Sequence, residues 1–182
     1  MAKMYKIVNV TDLESGLKEI DSFVELPKVR GVLAVVGESP SGKTELMKRF
    51  LKSRGLSEDK HYLNVNHMIM TSLAKRQDYK ALELDNRRGF LERNRRIIEK
   101  TLSEKLYKHF QANAILVLDS IELLSKYEVN LAALAFEPAS GGKTCIICVP
   151  GSVSGEKIYF MGKPGIISYH HCDKIIQIER RK

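Results

Sequence analysis

The apolar residues of the chain fall into short runs, with helix-like stretches between them. Three of these runs are continuous and rich in β-branched residues, a pattern typical of strands buried on both faces of a parallel sheet. With four weaker runs, the strand predictions are 7–10, 31–36, 61–66, 114–119, 144–149, 157–160 and 174–178. The alternation of strands and helices predicts a three-layer α/β protein with a mainly parallel sheet and right-handed crossovers.

Helical periodicity fills most of the segments between these runs. The first helix is capped by Thr11 or Asp12 and ends before Pro27. Its apolar stripe consists of Leu13, Leu17, Ile20 and Val24. The same pattern predicts helices over 45–54, 87–110 and 121–135, and a short helix with a loop over 71–84. The 45–54 helix has apolar residues at 46, 47, 50 and 51, and Gly55 follows it as a C′ glycine.

The loop between the 31–36 strand and the 45–54 helix carries a phosphate-binding motif. Its sequence GESPSGKT matches G-x-x-x-x-G-K-[ST], and the strand and helix around it are the context that this motif requires. Backbone N–H groups at the helix start would hold phosphates, helped by the helix dipole. Lys43 would reach the β- and γ-phosphates, and the Thr44 hydroxyl would help hold Mg²⁺. The predicted nucleotide contacts are Gly37, Glu38, Ser39, Pro40, Ser41, Gly42, Lys43, Thr44 and Glu45.

A second part of a nucleotide site is the acid that ends the 114–119 strand. From that position the carboxylate of Asp119 would hold Mg²⁺ through water, although an Asp that caps a helix is the alternative. Many ATPases of the additional-strand class place a glutamate next, where this chain has Ser120. The first acid beyond is Glu122, which either acts as the catalytic base or lies in the first turn of a helix. The predicted catalytic residues are Lys43 and Glu122.

The order of the strands and the type of nucleotide, ATP or GTP, depend on less direct signals. Both major divisions of P-loop proteins allow the spacing between the loop and Asp119. We favour the order in which the 144–149 strand lies between the loop strand and the Asp119 strand, as in the additional-strand (RecA/AAA-like) division. The guanine signature N-K-x-D is absent, which favours ATP over GTP.

Asn64 and Asn66 lie towards the end of the predicted 61–66 strand. They either face the ligand edge of the sheet or form an ordinary turn.

Arg95 interrupts the pattern of its helix. It falls on the stripe formed by Leu91, Ile98, Leu102 and Leu106, and a guanidinium on an apolar face needs a carboxylate or phosphate partner. Two partners are open: an acid of the same chain, which we favour, or the nucleotide of a neighbouring subunit.

Composition bounds the class of protein. The chain has 182 residues, 43% of them hydrophobic and 29% charged, which predicts one domain over 1–182. Within it we expect an N-terminal strand and helix over 1–28. Residues 29–182 would form a nucleotide-binding core with a C-terminal hairpin. Apolar runs of strand length, no signal-peptide pattern and three cysteines predict a cytoplasmic protein without a membrane span. The net charge of +8 is mostly dispersed, so we interpret it as a solvated surface.

Two further motifs are misleading. Residues 140–144 imitate a second phosphate loop, but they lack its leading glycine and precede a strand rather than a helix. Cys145 and Cys148, with the later Cys172 and two histidines, suggest zinc. Positions three apart on a strand face opposite sides, however, so core cysteines are the better interpretation.

Taken in order, these motifs resemble a known family. GESPSGKT, LNVN at 63–66, LDSIELL at 118–124 and VPG at 149–151, followed by a hairpin containing Tyr159, resemble the BrxF-like small P-loop proteins of bacterial BREX phage-defence systems. The resemblance covers most of the chain from about residue 30, and the tail after Gly165 departs from it. It implies a cytoplasmic ATP-binding component of an antiviral complex that also contains a larger ATPase, a methyltransferase and a phosphatase-like protein.

Three functions are therefore considered. The leading one is a regulatory subunit that binds Mg²⁺–ATP, hydrolyses it and changes conformation with nucleotide state. A small-molecule or nucleoside kinase would use the arginines of 87–96 and Glu38. A scaffold that binds ATP without hydrolysis is favoured by Ser120. Besides ATP and other proteins of a defence complex, a second copy of the chain and DNA are open as partners.

Overall fold

The computed structural model describes residues 6–75 and 88–179, and within them the strands form one mainly parallel sheet. The strands are β1 Ile7–Val10, β2 Val32–Gly37, β3 Tyr62–Asn64, β4 Ile115–Asp119, β5 Thr144–Ser154, β6 Lys157–Phe160, β7 Lys163–Pro164 and β8 Lys174–Ile178. Six of them pair in parallel in the order β1-β8-β2-β5-β4-β3, and β6 and β7 extend β5 as antiparallel strands. The predicted α/β fold is confirmed, and so is the position of β5 between β2 and β4.

Helices cover both faces of this sheet. They are α1 Leu13–Glu25, α2 Lys43–Ser53, α3 Glu58–His61, α4 Val65–Ala74, α5 Arg88–Ala112, α6 Leu124–Tyr127 and α7 Leu131–Phe136, with a 3₁₀ turn at Tyr169–His171. One apolar core joins a sheet face to α1 and α2, and a second joins the other face to α4, α5, α6 and α7. Cys145 packs in the second core and Cys148 in the first, so the prediction that they face opposite sides is confirmed.

The strand and helix around the 37–44 loop form as predicted. All six residues of β2 are buried, as expected for a strand in the middle of a parallel sheet. The buried apolar residues of α2 are Leu46, Met47, Phe50 and Leu51. The helix begins at Lys43, two residues before the predicted start, and Gly55 follows it with a φ of 64° that suits glycine.

The predicted strand over 61–66 is wrong in its second half. The strand stops at Asn64, whose side chain accepts a hydrogen bond from the N–H of His67 at 2.9 Å and so caps α4. Asn66 therefore lies on a helix instead of beside Asn64 on a strand. Of the 71–84 prediction, residues 71–75 form the end of α4 and Lys75, and residues 76–84 lie outside the described residues.

The single helix predicted over 121–135 is also wrong. Two short helices, α6 and α7, occupy this region. Glu128 adopts a φ of 52° between them, and Asn130 caps α7 by accepting from the N–H of Ala133 at 3.1 Å. A backbone in the left-handed region cannot continue an α-helix, so the chain breaks there.

Arg95 lies beside the buried face of α5 rather than on it. The buried residues, four apart, are Phe90, Asn94, Ile98, Leu102, Leu106 and Phe110. The Arg95 side chain is 39% exposed, and its Nε lies 2.9 Å from Glu99 Oε1, one helical turn away. The predicted burial was wrong because the buried face runs through Asn94. The favoured partner, an acid of the same chain, is confirmed.

Candidate functional site

An open cleft of about 460 Å³ lies where β2 and β4 end. In parallel sheets the carboxyl ends of neighbouring strands meet at one edge, which is where ligands bind. Here β2 ends at Gly37, β4 ends at Asp119, and β5 passes the same edge at Pro150, the register partner of Gly37. The lining residues are Ser39, Pro40, Ser41, Gly42, Lys43, Thr44, Glu45, Lys48, Asp119, Ser120, Glu122 and Pro150.

The shape of the 37–44 loop depends on two glycines. A Cβ on Gly37 would lie 2.6 Å from Ser41 Oγ, so a side chain there would push the loop open. Gly42 has a φ of 80° immediately before the first residue of α2. The loop therefore turns tightly into the helix and leads the backbone N–H groups of its first turn to the cleft.

The Lys43 ammonium lies folded back on this loop. Nζ donates to the carbonyl oxygen of Gly37 at 2.5 Å and to Ser41 Oγ at 2.9 Å. Burial lowers the pKa of Lys43, and the carboxylates of Asp119 and Glu122 act in the opposite direction. Both loop acceptors are neutral, so an anionic phosphate in the cleft would be a stronger partner for the ammonium.

Three donors surround the Asp119 carboxylate, which is 6% exposed. Thr44 Oγ1 donates to Oδ2 at 2.7 Å, the Tyr62 hydroxyl donates to the same oxygen at 2.6 Å, and the N–H of Ser120 donates to Oδ1 at 2.7 Å. Burial and the hydrogen bond to Asp119 raise the pKa of Tyr62, so the phenol stays a donor.

The turn after Asp119 is held by Asn66. Ser120 has a φ of 53°, an uncommon conformation for a residue with a side chain. The N–H of Asn66 donates to the Ser120 carbonyl at 2.8 Å, and its Nδ2 donates to Glu122 Oε2 at 2.7 Å. Its Oδ1 accepts from the N–H of Leu123 at 2.9 Å. Glu122 is exposed at the cleft and lies in the turn before α6.

The structure brings most of the predicted site residues together. Gly37 and Glu38 are absent from the cleft lining. Gly37 instead supplies a carbonyl to Lys43, and Glu38 lines a neighbouring cavity of about 270 Å³. That cavity lies between the loop and the hairpin of β5 and β6, and its other lining residues are Ser39, Pro150, Gly151, Ser152, Tyr159, Met161 and Gly162.

Sequence reasoning missed Tyr62 and the contacts that Asn66 makes with Glu122 and Leu123. The register that pairs Asn64 with Asp119 sets Tyr62 opposite Val117, and only this pairing brings the phenol to the carboxylate. The strand predicted over 61–66 includes Asn66, whereas the structure has it in the first turn of α4, from where it reaches Glu122. Two lining residues were not predicted as contacts: Lys48, which belongs to no motif, and Pro150, which the sequence marks only as part of the VPG segment at 149–151.

The oxygen atoms at the cleft suit a hard cation. Mg²⁺ is usually bound by one or two protein oxygens together with substrate phosphates and water, rather than by a cage made of protein alone. The Thr44 hydroxyl and the Asp119 carboxylate meet at the edge of a cleft that also holds Lys43. These residues therefore fit a magnesium–phosphate ligand.

No protein-family model, curated protein or solved structure matches this chain. In the part of the chain that the structure describes, no helix has both the length and the apolar character to cross a membrane.

Proposed function

We propose that this chain binds Mg²⁺–ATP in the cleft and hydrolyses it, as a P-loop protein of the additional-strand division. The observation that carries the proposal is the hydrogen bond of 2.7 Å between Thr44 Oγ1 and Asp119 Oδ2. It joins the last residue of the phosphate-loop motif to the acid at the end of another strand. Chance similarity of either short motif would not bring the two side chains together.

The strand order supports the assignment to this division. One strand, β5, separates the loop strand β2 from the acid strand β4, and β8 lies on the other side of β2. The separation of the loop and acid strands by one inserted strand is the arrangement that defines the additional-strand class.

Each residue of the cleft would have a distinct role. Lys43 would exchange its loop acceptors for phosphate oxygens, and the N–H groups at the start of α2 would bind the remaining ones. Thr44 and Asp119 would hold Mg²⁺, which supplies positive charge to the phosphates. Glu122 would accept the proton of the attacking water, with Asn66 fixing its orientation.

One observation favours a second function, an ATP-binding scaffold without turnover. Ser120 occupies the place where many ATPases of this class have a glutamate, so the usual catalytic base is missing there. Incubation with ATP labelled on the γ-phosphate separates the functions. Free labelled phosphate supports the ATPase, a labelled acceptor supports a kinase, and bound ATP without either product supports the scaffold.

The wider role rests on the family resemblance. It suggests a regulatory subunit of a cytoplasmic antiviral complex of the BREX type, with protein partners, further copies of the chain and DNA as candidate contacts. The hairpin of β5 and β6, followed by the exposed Met161, lies beside the cleft and would be suited to report nucleotide state, because β5 contributes to both.

Titration with ATP, with and without Mg²⁺, tests the binding proposal. Wild-type protein should bind more tightly with Mg²⁺, and Asp119→Asn should lose this gain while it keeps its affinity in EDTA. In the same variant, hydrolysis should fall much further than Mg²⁺-free binding. Hydrolysis that survives in Asp119→Asn would show that another acid holds the ion.

A further inference from the structure

The Tyr62 hydroxyl makes a contact that the proposed roles do not use. It lies 2.6 Å from Asp119 Oδ2, on the carboxylate that we assign to Mg²⁺. The ring packs against the core on the α1 and α2 face of the sheet, so the phenol approaches from a fixed direction. Tyr62 is absent from the cleft lining and would not touch the nucleotide itself.

The acceptor sites of Asp119 can be counted. A carboxylate offers about four, two on each oxygen. Thr44 and Tyr62 occupy both sites on Oδ2, and the N–H of Ser120 occupies one on Oδ1. One site on Oδ1 is left for a ligand. The carboxylate can therefore neither rotate nor offer Oδ2 to an ion without breaking hydrogen bonds.

We infer that Tyr62 is a positioning residue that fixes the Asp119 carboxylate and thereby sets the affinity of the cleft for Mg²⁺. The inference rests on the proposed function. Partners of this kind orient metal-binding carboxylates in many proteins, and their loss typically weakens metal binding by about 10–100-fold. Tyr62 lies on β3, and Asn66, which holds Glu122, lies at the start of α4 directly after it. A single segment of the chain therefore orients both acids of the cleft.

The test is the Mg²⁺ dependence of nucleotide binding in Tyr62→Phe. The substitution removes one hydroxyl and keeps the ring in the core. Tyr107→Phe is a matched control, since the Tyr107 hydroxyl donates to Glu137 at 3.0 Å and neither residue lines the cleft. Each protein is titrated with MgCl₂ in the presence of a fluorescent, non-hydrolysable ATP analogue. Affinity for the analogue in EDTA and the melting temperature are recorded as well.

We expect the half-saturating Mg²⁺ concentration to rise by roughly tenfold in Tyr62→Phe, with binding in EDTA unchanged. Tyr107→Phe should match the wild type. A Tyr62→Phe titration that coincides with the wild type overturns the inference and leaves the proposed function intact. An equal shift in Tyr107→Phe, or an equal loss of binding in EDTA, also overturns it, because the effect would then be general destabilisation. If the wild-type protein shows no Mg²⁺-dependent binding, both the inference and the proposed function are overturned.

Discussion

Thr44 and Asp119 share a hydrogen bond of 2.7 Å, although β2, which leads to Thr44, and β4, which ends at Asp119, are not neighbours in the sheet. Thr44 is the second residue of α2, which follows β2, and β5 lies between β2 and the Asp119 strand β4. The contact is made at the cleft beyond the edge of the sheet, which β5 passes at Pro150. The two oxygens thus meet because the helix begins immediately after the loop, at Lys43.

Replacement of Lys43 by Ala tests the phosphate loop. The variant lacks the ammonium that lies over the loop and should bind ATP at least tenfold more weakly, which is over about 1.4 kcal/mol. Lys52→Ala removes a charge from the exposed side of the same helix and should leave affinity unchanged. Isothermal calorimetry measures both. Equal affinities of Lys43→Ala and the wild type would refute the phosphate-loop assignment.

Glu122→Gln tests the catalytic base. The amide cannot accept the proton of the attacking water, so hydrolysis should fall by about 10²-fold or more while ATP affinity is retained. Asn66→Ala removes side-chain bonds to Glu122 and Leu123 and should lower hydrolysis by a smaller factor. Phosphate release under saturating ATP measures both. Unchanged turnover in Glu122→Gln would assign the base to another group.

Arg95→Ala should have little effect on stability. Its ion pair with Glu99 is partly exposed on both sides, and such pairs contribute about 0.2–1 kcal/mol. Leu102 is one of the fully buried residues of the same helix. Its replacement by Ala should lower the free energy of unfolding by about 2–5 kcal/mol. Urea unfolding compares the two. A loss in Arg95→Ala as large as that in Leu102→Ala would mean that Arg95 is buried after all.

Acidification should destabilise the fold through His109. Burial lowers the pKa of His109, while its hydrogen bond with the Ile115 carbonyl opposes the shift. The unfolded chain therefore binds the proton more readily, so this contribution to stability is present above a pH of about 6.5 and is lost as the pH falls towards the lower folded pKa.

In melting experiments, His109→Gln should lose less stability than the wild type between about pH 7.5 and pH 5.5. His170→Gln changes an exposed histidine and should follow the wild type. If all three proteins lose the same amount on acidification, then His109 does not contribute to the pH dependence.

The sequence predicts the elements around the loop because their signals are local and agree with one another. The apolar run of β2, the glycines of the loop and the four apolar positions of α2 all lie within 32–55, and the structure keeps each of them. The failure at 61–66 has a physical cause. Asn64 ends β3 and at the same time caps α4 with its side chain, and such a cap replaces the continued strand that the alternating pattern predicts.

The contacts that complete the site depend on pairing between distant segments. Tyr62 reaches Asp119 only through the register of β3 with β4, and Asn66 reaches Glu122 only because α4 starts beside the turn after β4. No pattern within either segment encodes that register. For the same reason the sequence could assign an acid as the partner of Arg95 but could not fix the rotation of α5. That rotation puts Asn94 rather than Arg95 on the buried face.

The position of β8 has a consequence for synthesis. β8 pairs with both β1 and β2, and the other neighbour of β2 is β5. The strand that presents the loop therefore has no neighbour until Thr144–Ser154 has emerged from the ribosome, and it lacks its second neighbour until Lys174–Ile178 has emerged. Pairing across so long a stretch of chain is slow to form, and an unpaired apolar strand invites association with other chains. The lining of the nucleotide cleft is thus complete only after Pro150 has been translated, and a fragment ending before Lys174 would expose β2 along one edge.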